Sequence, residues 1–299
     1  MEVWVLFTIA AAFFQNLRNM IQKSLNASLS AGGAAYTRFA FAFPLSVLYW
    51  LALNQTVGQD LTWGLKFWVF VLVGGTCQVA ASVFLLRAFT YRSFAVSTVL
   101  SKTETLQAAL FTIIILAEPV STAGAIALAI SFVGVCFVSL AKMRGRPNEF
   151  LVSLVQPAAL YSLGTGATLG IAAVCYRGAA LSLGGDGALY QAATTLMVVL
   201  GVQTVQMAAY LRVVEPGQLT KVWQARGKAG LTGLSAMLAS VGWFTAMAME
   251  NVAHVRVVGQ VELVFTFLAS IFFFRERIVR AEVAGTVLIV IGVAVLLLY

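Results

Sequence analysis

The chain has few charged residues. Only 10% of its 299 residues are Asp, Glu, Lys or Arg, whereas 61% are apolar and the mean hydropathy is +0.92. Soluble globular proteins carry roughly 25% charged residues, so this chain has too few charges to cover a water-facing surface. Apolar stretches of about 20 residues, the length that crosses the hydrocarbon core of a bilayer, recur from end to end. The composition predicts an all-α polytopic membrane protein.

Histidine and cysteine are also scarce. His254 is the single histidine, and Cys77, Cys136 and Cys175 each lie alone inside an apolar stretch. No pair of cysteines has metal-ligand spacing or implies a disulfide framework. We therefore expect no metal site, no cofactor and no enzyme activity, because a nucleophile–base pair or a metal cluster at membrane depth is missing.

Hydropathy and turn signals predict ten transmembrane helices with short connections. The spans are 3–25, 32–53, 65–87, 94–116, 121–140, 153–176, 186–211, 228–249, 255–274 and 281–298. The longest connection, "KMRGRPNEF", begins at 142 and lies halfway along the chain.

The two halves of the sequence repeat each other. A shift of 158 positions places Glu104 on Glu262, and it places "LSKTETLQAALFTIIILAEP" on "VGQVELVFTFLASIFFFRER". We predict a first five-helix repeat at 1–141, a connecting loop at 142–150 and a second five-helix repeat at 151–299. Because five is odd, the second copy must enter the membrane from the opposite side. Such inverted-topology repeats are characteristic of secondary transporters.

The net charge of +8 falls in short clusters between spans, so it indicates topology and not nucleic-acid binding. Lys and Arg concentrate in the connections after the odd-numbered spans. The loop after the fourth span has none, whereas its repeat partner after the ninth span has three. By the positive-inside rule, we expect both termini on the non-cytoplasmic side.

Both copies contain a short Glu-containing turn followed by a Gly-rich last helix: "LAEPVSTAGAIALAISFVGV" and "FRERIVRAEVAGTVLIVIGV". This pattern resembles the drug/metabolite transporter superfamily, EamA type, and is most similar to bacterial aromatic amino-acid exporters. Arg38 in "YTRFAFAFP" resembles the arginine that opens the family's second helix. The proline expected about 13 residues before the turn glutamate is absent, and Thr105 and Leu263 occupy those positions. If those helices are unbroken there, gating by a proline kink is in doubt.

The first span carries a polar stripe. Gln15, Asn19, Gln22 and Asn26 lie 4, 3 and 4 residues apart, and Asn16 lies on the adjacent edge. Because lipid cannot satisfy such groups, we expect Gln15, Asn16 and Asn19 to line a cavity. The alternative is that the helix leaves the bilayer near residue 18.

Charged residues inside predicted spans are costly and need a partner or a wet cavity. Lys102 and Glu104 lie in the fourth span, and Gln260 and Glu262 repeat them in the ninth. On one continuous helix, Lys102 and Glu104 would point about 200° apart and could not pair. Lys102 is a candidate ligand for a substrate carboxylate. Glu104 and Glu262 are candidates for proton coupling or for a symmetric structural role, packing each helix against its own repeat.

Further polar and aromatic residues complete the predicted cavity. Gln78 and Ser82 share a face of the third span, Tyr161 lies halfway through the sixth, Trp243 lies in the eighth, and Gln260 joins them from the ninth. Amide, hydroxyl and aromatic groups in an apolar pocket suit a neutral or aromatic amino acid. The alternative for each residue alone is interhelical packing.

The expected function is export of amino acids from the cytoplasm by alternating access, with a small-molecule substrate and the lipid bilayer as partners. The resemblance supplies the direction and the amino-acid class. Other drugs or metabolites, or lipid-linked sugars flipped across the bilayer, are the alternative cargo. We expect a bacterial inner membrane location, and a monomer or a homodimer would be compatible with the sequence.

Overall fold

The structure is a computed structural model that describes residues 2–25, 28–90, 100–141, 157–185, 187–272 and 279–298. Within these residues the backbone forms helices joined by turns. In chain order the helices are α1 (Val3–Leu25), α2 (Ala31–Ala40), α3 (Ala42–Val57), α4 (Leu65–Thr90), α5 (Glu104–Leu116), α6 (Thr122–Ala141), α7 (Pro157–Ser182), α8 (Ala188–Val214), α9 (Gln218–Gln224), α10 (Arg226–Met249), α11 (Val252–Gly259), α12 (Val261–Phe272) and α13 (Arg280–Leu298). The predicted connecting loop at 142–150 and Asn26 of the polar stripe lie outside the described residues.

Seven helical segments of the described chain are long and apolar enough to cross a membrane, with α2 and α3 together forming one of them, Ala31–Val57. The predicted all-α membrane fold is therefore confirmed, while the count of ten spans and their inverted topology stay predictions. α1 has 23 residues, enough for about 35 Å at 1.5 Å per residue, but its polar stripe lowers its hydropathy. α5 is apolar but has only 13 residues.

Several helices continue beyond the ends that hydropathy predicts. α3 extends past Leu53 through Asn54 and Thr56, because polar side chains end an apolar window without ending the backbone hydrogen bonds. α7 continues past Tyr176 to Ser182 and so includes Arg177, which the sequence had placed in a connection. Arg177 Nη1 donates to the carbonyls of Met247 and Glu250, each at 2.7 Å. It thereby satisfies carbonyl groups at the end of α10 that lack helical partners.

The described helices divide between two compact units, each of which takes segments from both halves of the chain. The first unit comprises Met1–Ser82 and Ala172–Glu250. In it α1 packs along α10, and a Cβ atom at Gly242 would lie 2.6 Å from the Phe7 carbonyl oxygen. The largest fully buried side chains of its core are Phe39, Phe67, Leu183, Leu196, Met207 and Leu211.

The second unit comprises Val83–Ile171 and Asn251–Tyr299. α6 and α13 pack along their lengths, and a Cβ atom at Gly134 would lie 2.7 Å from the Gly285 carbonyl oxygen. The GxxxG pattern of α7 packs on α5, because Cβ atoms at Gly166 and Gly170 would lie 3.1 Å from the backbone nitrogens of Glu104 and Ala108. These glycines therefore allow α7 and α5 to approach closely.

Candidate functional site

The candidate site residues fall into two groups, one in each unit. The first unit holds Gln15, Asn16, Asn19, Gln78, Ser82 and Trp243, and the second holds Lys102, Glu104, Tyr161, Gln260 and Glu262. Each group is described within its own unit, and the single shared cavity stays a prediction.

The polar stripe of α1 is part of an uninterrupted helix that continues to Leu25. Gln15 Oε1 accepts a hydrogen bond from Trp243 Nε1 on α10 at 3.0 Å, so two predicted site residues meet. Asn16 is buried. Asn19 is exposed, and its Oδ1 accepts from Arg18 Nη2 at 2.8 Å. Along the stripe, Gln15 and Gln22 are half-buried and Asn19 is exposed.

Gln78 on α4 belongs to a polar network that the sequence only partly predicts. Its Oε1 lies 2.5 Å from the Tyr176 hydroxyl and accepts from Gln203 Nε2 at 3.2 Å. Gln203 Nε2 also donates to the Tyr176 hydroxyl at 2.8 Å. The Tyr176 ring stacks on Phe244 with 4.5 Å between centroids. Four helices, α4, α7, α8 and α10, thus contribute to one cluster of amide, hydroxyl and aromatic groups.

Tyr176 and Gln203 were missed as candidates. Hydropathy places Tyr176 at the end of a predicted span, and it treats Gln203 as a single amide in an apolar helix. Gln203 lies near the middle of the 27-residue α8, where a polar side chain needs an internal partner. That position was a signal that could have identified it.

Arg38 on α2 is a cation of this unit that contacts Ser82 of the predicted pair Gln78 and Ser82. Its Nη2 donates to Ser82 Oγ at 2.7 Å, and its guanidinium carbon lies 4.4 Å from the centroid of the Phe39 ring. Ser82 Oγ in turn donates to the Gln78 backbone carbonyl at 3.0 Å. The sequence had noted Arg38 only for its resemblance to a family position and not as a site residue.

In the second unit, two helices are interrupted at positions related by the repeat. Lys102 and Thr103 form a turn, and α5 begins at Glu104. Gln260, which is 158 positions after Lys102, separates α11 from α12. The expectation that Lys102 and Glu104 lie on one continuous helix is therefore wrong.

The interruptions arise without proline. The Thr103 Oγ1 hydroxyl donates to the Leu100 carbonyl at 2.6 Å and accepts from Gln107 Nε2 at 2.9 Å. These side-chain bonds offer the backbone an alternative to the helical ladder, as Ser and Thr often do. In the second copy, the Gln260 side chain donates to Thr105 Oγ1, which connects the two interruptions.

Two ion pairs cross between the interrupted helices. Lys102 Nζ lies 3.6 Å from Glu262 Oε2, and Arg256 Nη1 lies 2.7 Å from Glu104 Oε1. Each carboxylate therefore pairs with a cation from the other half of the chain. Both carboxylates also occupy the first turn of a helix, where the helix dipole favours negative charge. Arg256 lies at the start of the predicted ninth span and was not a site candidate, because its partnership with Glu104 has no local signature in the sequence.

Tyr161 stands apart from these ion pairs. Its ring contacts Phe84 with 6.1 Å between centroids. In the described part of the second unit, the residues that the sequence proposed for the site thus form ion pairs, a hydrogen bond and an aromatic contact.

These observations define a class of protein. It is an all-helical polytopic membrane protein with amides and crossed ion pairs on its helices. Residues 156–298 match the model of the EamA-like transporter family, which confirms the resemblance over that part of the chain. No curated protein matches the chain.

The fold of this chain is found in solved structures, with matches to 29 chains. One of them, described as "Crystal structure of protein", has a TM-score of 0.75 and 17% sequence identity. The match covers 99% of this chain and 96% of that chain. At this identity the likeness shows the fold alone.

Proposed function

We propose that the protein is a transporter of the drug/metabolite type that exports amino acids, aromatic or otherwise neutral, across the bacterial inner membrane by alternating access. The match of residues 156–298 to a transporter family supports transport as the activity. The amino-acid class and the outward direction extend the resemblance to aromatic amino-acid exporters.

The observation that carries this proposal is the pair of interrupted helices. Transporters with repeated halves place substrate and coupling sites at discontinuous helices, whose free backbone groups and helix ends supply polar contacts in the membrane. Here the interruptions at Lys102–Thr103 and Gln260 fall at repeat-related positions, and the segments after them begin with Glu104 and Val261. An enzyme or a purely structural membrane protein does not require such matched interruptions.

The polar network of the first unit supports a small amphiphilic substrate. Gln78, Gln203 and Tyr176 provide amide and hydroxyl groups, and Phe244 provides an aromatic face next to Tyr176. Such sites combine apolar walls with a few polar groups that orient the ligand. This chemistry suits an amino acid with an apolar or aromatic side chain better than a long lipid-linked sugar, for which a lateral opening between helices would be needed.

Uptake by proteoliposomes tests the proposal. Purified protein would be reconstituted, and entry of labelled phenylalanine and threonine would be measured with and without a pH gradient, against protein-free liposomes. We expect saturable uptake that is accelerated by unlabelled substrate on the far side, which separates a carrier from a channel. Dependence on the pH gradient would support coupling through Glu104 or Glu262.

Absence of uptake for every amino acid, with protein that remains folded and monodisperse, would overturn the amino-acid assignment. Labelled drug-like cations and lipid-linked sugars would then be the next cargo to test in the same vesicles. Flux that never saturates would overturn the carrier mechanism itself.

A further inference from the structure

Among the described residues, Arg38 has no anionic partner of the kind that a cation in a membrane-spanning helix normally has. The ion pairs Lys102–Glu262 and Arg256–Glu104 do not involve it. Its guanidinium donates from Nη2 to the neutral Ser82 hydroxyl, while Nε is buried without a hydrogen-bond partner among the described residues. A charge at this depth requires a partner or a wet cavity, so the donor set is incomplete.

The surroundings of Arg38 increase its positive potential. Arg18 on α1 lies close enough for the two positive charges to repel each other. The carboxylate that contacts the start of α2 is Glu215, which accepts a hydrogen bond from Ser30. Ser30 precedes Arg38 by eight positions, a distance of about 12 Å along a helix. Glu215 is therefore not a close partner of Arg38, and the positive charge at Arg38 attracts an anion.

Gln78 adds a second donor beside Arg38. The Gln78 Oε1 atom is held by Tyr176 and Gln203, which fixes the amide and leaves its nitrogen to donate to another acceptor. Ser82 connects the two residues, because its hydroxyl accepts from Arg38 and donates to the Gln78 backbone. Arg38, Gln78 and Ser82 are each partly buried as whole residues, although the Nε atom of Arg38 is buried.

We propose that Arg38, together with the Gln78 amide, binds the carboxylate of the transported amino acid. The inference rests on the proposed function. The planar guanidinium carries its N–H donors in a fork that matches the two oxygens of a carboxylate, the bidentate arrangement that gives strong charge-assisted hydrogen bonds. Lys102, the residue that the sequence suggests for this role, has Glu262 as an internal partner at 3.6 Å. The carboxylate subsite therefore belongs to the first unit.

The test compares phenylalanine with phenethylamine, which lacks the carboxylate, in proteoliposomes containing wild-type protein or Arg38→Gln. The wild type is expected to prefer phenylalanine. Arg38→Gln is expected to raise the KM for phenylalanine about 10-fold or more, the effect of losing a hydrogen bond to a charged group, and to leave phenethylamine unchanged. Arg212→Gln is the matched control, because Arg212 is an exposed arginine in the last turn of α8.

Arg38→Lys keeps the test decisive if Arg38→Gln does not fold. Lysine keeps the charge but cannot offer the planar fork of donors, so the preference for phenylalanine over phenethylamine should fall several-fold. A preference that is unchanged in folded Arg38→Lys or Arg38→Gln overturns the proposal, even if transport itself is normal.

Binding of benzoate to the purified protein separates failure of this inference from failure of the proposed function. Benzoate carries a carboxylate and an aromatic ring but no amino group, and its binding can be measured by calorimetry without transport. Benzoate binding that Arg38→Gln removes supports the subsite, even if no amino acid is transported. Amino-acid transport with benzoate binding that Arg38→Gln leaves unchanged would support the function and overturn the subsite.

Discussion

Lys102 Nζ lies 3.6 Å from Glu262 Oε2, and this ion pair joins the interruption of one helix to the first turn of its repeat counterpart. In the second pair, the cation comes from the second half of the chain and the carboxylate from the first: Arg256 Nη1 lies 2.7 Å from Glu104 Oε1. All four side chains are largely buried, with exposed fractions of 27% and 14% for Lys102 and Glu262 and 19% and 13% for Arg256 and Glu104. Removal of one partner therefore leaves an uncompensated charge, which costs more than removal of both.

The first prediction concerns the coupling of Lys102 and Glu262. Lys102→Gln and Glu262→Gln should each lower the Tm of the detergent-solubilised protein, and the double variant should be less destabilised than the sum of the two. A double-mutant cycle should give a coupling of about 1 kcal/mol or more. Lys228→Gln is the control, because Lys228 is an exposed lysine in the first turn of α10. Additive effects would show that the two side chains do not interact.

The second prediction separates an ion pair from a substrate ligand at Lys102. If its main role is to pair with Glu262, the double variant Lys102→Gln with Glu262→Gln should transport substrate better than either single variant. Gln260, the repeat equivalent of Lys102, shows that glutamine is compatible with such an interruption. Initial uptake rates in proteoliposomes give the measurement. Equal loss of transport in Lys102→Gln and in the double variant would instead favour direct substrate binding.

The third prediction ranks the two ion pairs. Arg256→Gln should lower the Tm more than Lys102→Gln does, because the Arg256–Glu104 atoms lie closer together and both side chains are less exposed. Thermal unfolding of the two purified variants under identical detergent conditions provides the comparison. A smaller effect for Arg256→Gln would mean that distance and burial do not determine the strength of these pairs.

The helical spans could be predicted because the information is local. A stretch of about 20 apolar residues specifies a membrane helix whatever its neighbours are. α1 was predicted with the bounds that the structure shows, Val3–Leu25. The polar stripe on it singled out Gln15, and the structure pairs Gln15 with Trp243, which was proposed independently.

The interruptions and the ion pairs could not be predicted because they depend on contacts between distant segments. Neither glycine nor proline marks a helix end at Thr103, and Gly259, which directly precedes Gln260, lies inside a predicted apolar span and so did not indicate one. The pairing of Glu104 with Arg256 joins residues from different halves of the chain. The repeat itself predicted that Glu104 and Glu262 are equivalent, but equivalence does not say which cation each one meets.

The fourth prediction concerns the contact between α6 and α13. Gly134→Ala should destabilise the protein by about 1–3 kcal/mol, the usual cost of overpacking. The added Cβ would lie 2.7 Å from the Gly285 carbonyl oxygen and 2.9 Å from the Ile289 nitrogen, and neither backbone atom can move without separating the helices. The same substitution at Gly230 in α10 meets no atom within 4 Å.

Gly230→Ala should therefore be neutral or stabilising by up to about 1 kcal/mol, the gain in helix propensity. Tm values of the two variants, measured side by side, give the comparison. If both variants shift the Tm in the same direction, close packing at Gly134 is not a determinant of stability.

The fifth prediction concerns the end of α5. Ala117 is the C-cap of this helix and has φ 55° and ψ 28°, the left-handed region, and among the described residues it is the non-glycine residue with positive φ. A left-handed backbone costs an L-residue roughly 1–2 kcal/mol, and glycine avoids that cost while losing about 0.4–1 kcal/mol through its freer unfolded state. Ala117→Gly should therefore raise the Tm slightly. Ala125→Gly, at an exposed position inside α6, makes the same chemical change in a right-handed helix and should lower it, by about 1 kcal/mol of stability. A rise in Tm for Ala117→Gly together with a fall for Ala125→Gly is the diagnostic result, because a left-handed backbone at Ala117 requires it. A loss of stability in both variants would mean that residue 117 is not held in that conformation.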